Sequence, residues 1–302
     1  MITVFTPTYN RLALLQRLYR SLEEQTDRSF EWVIVDDASE DGTEEWVGTI
    51  TRSAPFTIRY QKNPHGGKHR AVNTGVQMAR GEWFFIVDSD DRLPENAIRT
   101  VSSWITGIEG DDSLAGVAGM LVDQDGRVVG ESPDVPVGAY VECGNLERYR
   151  SHLMGDKAEV YRTDIMRRYP FPEYEGEDFI TERIVWDRIA HDGYRVRWYN
   201  VPVYICEYQE AGLSKTGANS LRGHLKNYRG YLAFVRQSVR IMEPKEAVTV
   251  FREYDRTARI RKRRLKRRAG DIGFGIPRYL YYLLFKMPFF YALRIVSGTG
   301  RK

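Results

Sequence analysis

The chain has 302 residues, enough for one large α/β domain with an appendage or for two modest domains. Two cysteines, Cys143 and Cys206, lack metal or redox spacing, which excludes a disulfide-stapled scaffold and points to a reducing compartment. The formal charge of +4 hides an asymmetry: residues 252–302 hold 15 Lys/Arg against 3 Asp/Glu, or +12, which leaves −8 on residues 1–251, so it is the tail that is suited to something anionic.

The N-terminus enters a strand-like segment at once, Ile2–Phe5, with no basic and then apolar leader, so no secretory signal is predicted and the catalytic part is placed in the cytoplasm. From Arg11 to about Gln25, Leu12, Leu15, Leu18 and Leu22 are spaced for one buried helical face. Trp32–Val35 reads as a strand and is followed by a helix from about Asp41, capped by Ser39 or Asp41. Phe56–Tyr60 is the next strand, Lys68–Ala79 a helix and Trp83–Val87 a strand; Leu93-Pro94-Glu95 opens another helix. Leu114–Val122 and Arg127–Gly130 read as a hairpin, Asp178–Ile189 as a helix and Tyr194–Tyr199 as a strand. Beyond about Thr216 the pattern turns helical and basic, which sets domain limits of 1–215 and 216–302. The alternation of strands and helices predicts an α/β fold with a mostly parallel, Rossmann-like sheet covered on both faces, plus a helical C-terminal segment.

Two of these strands end abruptly in carboxylates, Val35-Asp36-Asp37 and Val87-Asp88-Ser89-Asp90-Asp91. Acids just past a buried parallel strand lie at the edge of the sheet where ligands bind. Asp37 is suited to accept from a uracil imide or a ribose hydroxyl, with Asp36 turned inward; the bland alternative is that one of them caps the next helix. Asp88, Asp90 and Asp91 on one turn are costly unless a cation offsets them, and hard oxygen ligands suit Mn²⁺ or Mg²⁺. Lys68, His69 and Arg70 follow Gly66-Gly67 at a helix start, where they can hold a diphosphate or form a solvated basic face.

Thr6-Pro7-Thr8-Tyr9-Asn10-Arg11, Val35-Asp36-Asp37-Ala38-Ser39, Asn73-Thr74-Gly75 and Ala79-Arg80-Gly81-Glu82 running into Asp88-Ser89-Asp90-Asp91 together resemble the family 2 glycosyltransferases, inverting enzymes of the GT-A fold. The likeness covers roughly residues 1–210. It implies a nucleotide-sugar donor, usually UDP-linked, and a divalent cation. On the matching positions it implies that Pro7, Thr8, Tyr9, Asp37, Asn73, Asp88 and Asp90 surround the donor, and that Asp90 and Asp91 meet the metal; Lys68 and Arg70 join the donor set from the glycine-rich turn.

An inverting transfer needs a carboxylate that takes the acceptor's proton. Glu177, Asp178 and Glu182 are the candidates. The family commonly sets an Arg six residues past the acid, followed by Gly-Tyr; counting back from Arg188, ahead of Gly193-Tyr194, favours Glu182, with Asp178 second and Glu177 third. Glu182 also reads as an ordinary helix-surface acid, and Trp186, one turn on, as core. Gly212–Lys215 reads as a loop that closes over the donor or as a plain surface loop.

The run Arg259–Arg268 precedes an aromatic and aliphatic stretch, Ile272–Val296, interrupted by Pro277, Arg278, Lys286, Pro288 and Arg294. That suits an interfacial segment on an anionic membrane, spanning 259–296, better than a spanning helix or nucleic-acid binding. Packing on protein is the alternative. A membrane-held enzyme would suit a glycan or lipid-linked acceptor. Two rival classes remain at this point. A sugar nucleotidyltransferase needs a Gly- and Lys/Arg-rich loop after the first strand, where this chain has Thr6-Pro7-Thr8-Tyr9-Asn10; a non-catalytic polybasic binder leaves the acid clusters without a task.

Overall fold

The computed structural model describes residues 1–207 and 220–287. These form two compact units, residues 1–178 with 185–207, and residues 179–184 with 220–287. The boundary expected near residue 215 falls outside the described residues, as do the Gly212–Lys215 loop and residues 288–296 of the proposed interfacial segment.

In the first unit, β1 (Ile2–Thr8), β2 (Phe30–Asp36), β3 (Thr57–Lys62) and β4 (Trp83–Ile86) alternate with α1 (Leu12–Glu23), α2 (Thr43–Ile50) and α3 (Lys68–Met78). They are followed by α4 (Ala97–Thr106), β5 (Leu114–Val122), β6 (Tyr140–Cys143), β7 (Ala158–Arg162), α5 (Thr163–Arg168), α6 (Arg183–His191) and β8 (Arg195–Ile205). One sheet holds all eight strands in the order β3-β2-β1-β4-β7-β5-β8-β6. Strands β7 and β6 run against the other six, so the sheet is mostly parallel, as expected.

Every residue of β2 and of β5 is buried, the mark of strands covered on both faces. On one face Val4, Trp32 and Ile34 pack in a core with Leu15, Leu18 and Leu22 of α1. On the other, Phe5 stacks on Phe84 at 5.0 Å, and α3 approaches so closely that a Cβ on Gly75 would lie 2.2 Å from the Phe5 ring.

Some local expectations hold and others need correction. Residues 127–130 return along β5 through a single bridge, Val122 to Val128, because β5 already has β7 and β8 as neighbours. The helix after Pro94 starts at Ala97, once Gln25 has taken the Pro94 carbonyl and the Ile98 N–H. Helix α6 begins at Arg183 instead of Asp178, so Glu182 lies in the preceding turn and not on a helix face. Trp186 is core, stacked on Tyr161 at 4.5 Å. Asp41 serves the start of α2, accepting from the Thr43 N–H and hydroxyl, while Ser39 Oγ is used by the Asn10 N–H.

The second unit is helical: α7 (Leu221–Lys226), α8 (Tyr228–Ile241), α9 (Pro244–Ile260), α10 (Leu265–Asp271) and α11 (Ile276–Tyr281), with a π turn at Tyr282–Lys286. Tyr231, Val235, Val239, Phe251, Tyr254, Ile272 and Tyr279 make its core. Inside it, buried Asp255 accepts from Arg259 at 2.6 Å, Arg268 at 2.5 Å and the Tyr279 hydroxyl at 2.6 Å. Asp271 takes Arg263 and Arg267 at 3.0 and 3.5 Å. The basic run is therefore less of a free positive face than its sequence suggests, since four of its guanidiniums meet two buried acids. Among the described residues no helix is long and apolar enough to cross a membrane.

Candidate active site

Both acid clusters lie at the carboxyl ends of parallel strands, β2 and β4, which flank β1. At the β2 end, Asp36 is wholly buried and accepts from the Ser39 N–H and the Tyr60 hydroxyl, each at 2.7 Å. Burial and that bond to Asp36 hold the Tyr60 hydroxyl firmly protonated. Asp36 is thus the inward-turned member of the pair. Asp37 receives the N–H groups of Gly66 and Gly67, one on each carboxylate oxygen at 2.8 Å, and His65 Nδ1 lies 2.9 Å away.

That cradle depends on Gly67. Its φ of +91° lies in the region other residues avoid, and a Cβ there would sit 1.8 Å from the Asp178 carbonyl oxygen. The β2 acid, the turn that opens α3 and the backbone at Asp178 therefore form one packed unit. Pro7 and Thr8 close β1 opposite Val35 and Asp36, and Thr8 Oγ1 is buried with no hydrogen-bond partner. Tyr9 is 45% exposed, its ring centroid 4.5 Å from that of His65.

At the β4 end, Asp88, Asp90 and Asp91 each present a ligand oxygen within 4.8 Å of the others. Their partners differ. Lys68 Nζ lies 2.7 Å from Asp88, and Arg11 lies 2.9 Å from Asp90. Asp91 accepts from the Tyr204 hydroxyl at 2.7 Å and the Glu207 N–H at 2.9 Å. The Tyr204 oxygen also accepts the Asp88 N–H at 2.9 Å, so one buried phenol ties both ends of the turn. Burial, reinforced by the charge of Asp88, pushes the Asp91 carboxyl up to about 8. Asp90 is raised by the same two causes, with Arg11 opposing them. Three oxygen-only ligands holding negative charge that the protein offsets only in part fit a hard divalent cation.

Other predicted residues have different occupations. Asn73 spends its side chain on the 171–173 segment: Oδ1 takes the Phe171 N–H, and Nδ2 donates to the Phe171 carbonyl and to Glu173. Arg70 donates to the Tyr174 carbonyl at 2.7 Å and pairs with Glu173 at 3.1 Å. These two, expected at the donor, brace the segment that leads to Glu177 and Asp178. His69 is buried with neither ring nitrogen hydrogen-bonded, and burial beside Arg70 lowers its pKa. Glu177 and Asp178 share the compact unit of the aspartate turn, and Glu182 belongs to the other. Tyr204 and Arg11 had no place among the expected site residues. A lone Tyr late in an apolar strand carries no local signal, and Arg11 reads as the start of a helix.

A family model described as Glycosyl transferase family 2 matches residues 3–167. An undecaprenol-linked glycan β-1,3-glucosyltransferase of Campylobacter jejuni, named for its GalNAc(5)-diNAcBac-PP-undecaprenol acceptor, is 21% identical over 85% of this chain and 78% of its own. The poly(ribitol-phosphate) β-N-acetylglucosaminyltransferase TarS of Staphylococcus aureus is 29% identical over 43% of this chain and 22% of its own. The chain spans only 22–42% of the length of that and several other curated relatives. Among solved structures, TarS 1–349 with UDP-GlcNAc superposes with a TM-score of 0.65 at 17% identity, covering 99% of this chain and 92% of that one. A Pyrobaculum calidifontis mannosyltransferase with GDP-Man and Mn²⁺ gives 0.53 at 17% identity, covering 100% and 76%. These likenesses show the GT-A fold.

Proposed function

The chain belongs to glycosyl transferase family 2, and on that premise we propose that it inverts the anomeric centre of a UDP-linked sugar as it moves the sugar to a hydroxyl of a lipid-linked or polymeric glycan. The observation that carries this reading is the pairing of two acid sites at the ends of the strands either side of β1, Asp36-Asp37 on β2 and Asp88-Asp90-Asp91 after β4. Asp37, held by two N–H groups, keeps lone pairs for a uracil imide, and the exposed Tyr9 ring offers a face to a base. Asp90 and Asp91 would hold Mn²⁺ or Mg²⁺, which offsets the charge of the leaving diphosphate. Lys68, beside Asp88, adds a cation for the same phosphates.

For the base, geometry favours Asp178 over Glu182. Asp178 packs its backbone on Gly67, whose N–H holds Asp37, and it shares the unit of the aspartate turn. The 171–178 segment, tied to α3 through Asn73 and Arg70, would carry that carboxylate to the acceptor's proton as the hydroxyl attacks the anomeric carbon.

Two relatives support the acceptor class: one is named for a PP-undecaprenol-linked glycan and another for poly(ribitol-phosphate). Ile276, Tyr281, Leu284 and Phe285 are exposed near Arg278 and Lys286, which supports peripheral attachment at an anionic membrane, with the catalytic part on the cytoplasmic side. The test is a screen for UDP, GDP or dTDP release from nucleotide sugars with Mn²⁺, Mg²⁺ or EDTA. Metal-dependent release from a UDP-sugar, lost in Asp91→Asn, is expected. Release from another nucleotide's sugar keeps the enzyme class and overturns the UDP assignment. No release and no nucleotide binding overturns the proposal.

A further inference from the structure

Each carboxylate of the Asp88–Asp91 turn already has a partner from this chain, and the partners are of two kinds. Asp91 receives neutral donors, the Tyr204 hydroxyl and the Glu207 N–H. Asp90 receives a cation, Arg11, at 2.9 Å, with the two side chains 25% and 14% exposed. Arg11 does not arrive there by chance of a long side chain. Asn10 before it is left-handed, at φ 49°, with its N–H on Ser39 Oγ and its own Oδ1 accepting the Glu40 N–H. Leu12 after it donates its N–H to Asp41 at 2.8 Å. Both neighbours are pinned to the loop after β2, so the backbone that carries Arg11 is fixed while its guanidinium reaches the turn after β4.

A guanidinium on a metal ligand is a competitor for the metal. We propose that Arg11 is a resident counter-ion: it neutralises Asp90 in the metal-free protein, yields that oxygen when a divalent cation enters, and moves to the diphosphate that arrives with the cation. This rests on the reading that the turn takes a divalent cation. The exchange keeps the local charge balanced at every stage: carboxylate with guanidinium before, carboxylate with metal and phosphate with guanidinium after. Arg suits the second duty as well as the first, because its planar fork matches a phosphate's oxygens. A residue that merely props up the turn would weaken both ligands when removed. A resident counter-ion moves them in opposite directions.

The experiment uses the full chain, freed of metal, with two probes: MnCl₂ alone, followed by the signal of free Mn²⁺ in electron paramagnetic resonance, and uridine diphosphate with saturating Mn²⁺, followed by calorimetry. Arg11→Met keeps the aliphatic stem and removes the charge. It is expected to bind Mn²⁺ about tenfold tighter, as like charge a few ångströms from the ion is removed, and uridine diphosphate about tenfold more weakly. Arg11→Lys keeps the charge, so its Mn²⁺ affinity stays near that of the wild type. Arg11→Gln carries the same expectation as Arg11→Met should the latter fail to fold, which melting in EDTA reports. Unchanged or weaker Mn²⁺ binding in the neutral variants, with Mn²⁺ binding by the wild type that is lost in Asp91→Asn, overturns the inference and leaves the metal site standing. Absence of Mn²⁺ binding by the wild type removes the site and the inference together.

Discussion

Gly67→Ala should separate packing at the site from backbone strain in general. Placing a Cβ at Gly67 adds two costs: a left-handed φ of +91°, and an atom 1.8 Å from the Asp178 carbonyl oxygen. With ψ at 163° that conformation is essentially confined to glycine, and the first cost is on the order of 1–3 kcal/mol. Gly110 supplies a control for it, since its φ is +84° and a Cβ there meets nothing within 4 Å. The second cost is specific, because either the Asp178 backbone or the Gly66-Gly67 turn must retreat by roughly 1.5 Å to reach ordinary contact. Retreat of the turn breaks the two N–H bonds that fix Asp37; retreat of Asp178 moves the proposed base. A misplacement of about 1 Å costs on the order of a hundredfold in rate. Thermal melts and metal-dependent nucleotide release from the donor, run on both variants, should show a positive-φ stability penalty in each, with the hundredfold loss of kcat/KM confined to Gly67→Ala. Activity of Gly67→Ala within threefold of Gly110→Ala would refute the coupling between the Asp37 cradle and Asp178.

Three further outcomes are expected. Tyr204→Phe removes the hydroxyl that orients Asp91 and receives the Asp88 N–H, so Mn²⁺ affinity should fall about tenfold, as for other residues that support metal ligands, with Asp91 itself intact. Asp178→Asn should lower sugar transfer by at least about a hundredfold, whereas Glu182→Gln should stay within a fewfold of wild type; the reverse ranking would return the base to Glu182. The Asp91 carboxyl rises from an ordinary 3.8 to about 8, so without metal the folded state binds this proton more tightly than the unfolded chain does. Its contribution to stability is whole below about pH 4 and is lost as pH climbs to about 8. Asp91→Asn should therefore melt higher than wild type at pH 8 in EDTA, and the advantage should vanish near pH 4.

The parallel sheet was legible because buried strands such as Val33–Val35 and Phe84–Val87 are unbroken apolar runs, a pattern that few other elements produce. The acid clusters were legible for the same reason, as charges where an apolar run stops. What stayed hidden was long-range. Tyr204 meets Asp91 from a strand 113 residues later in the chain, and Asn73 and Arg70 bond to a segment about a hundred residues on. Motif reading assigns such residues to the ligand because it sees their type and spacing but not the competing partner. The helix expected from Asp178 starts only at Arg183, because the chain from 178 to 182 runs irregularly into a turn at Glu182 before the helical hydrogen bonds begin.

The order of the strands also dictates an order of assembly. The first four parallel strands, β3-β2-β1-β4, join neighbours within about ninety residues, so they can pair early on a chain emerging from its N-terminus. The antiparallel β7 must then dock on β4, and β5 and β8 can be added only beyond it. Until β8 arrives, the Asp88–Asp91 turn lacks the phenol and the N–H that receive Asp91. The three aspartates are then a repulsive bend waiting on a contact 113 residues further along the chain. A nascent chain short of residue 204 would present the first half of the sheet without the phenol that holds Asp91, so on the proposed reading the turn would become fit for a metal only when the far side of the sheet closes on the near one.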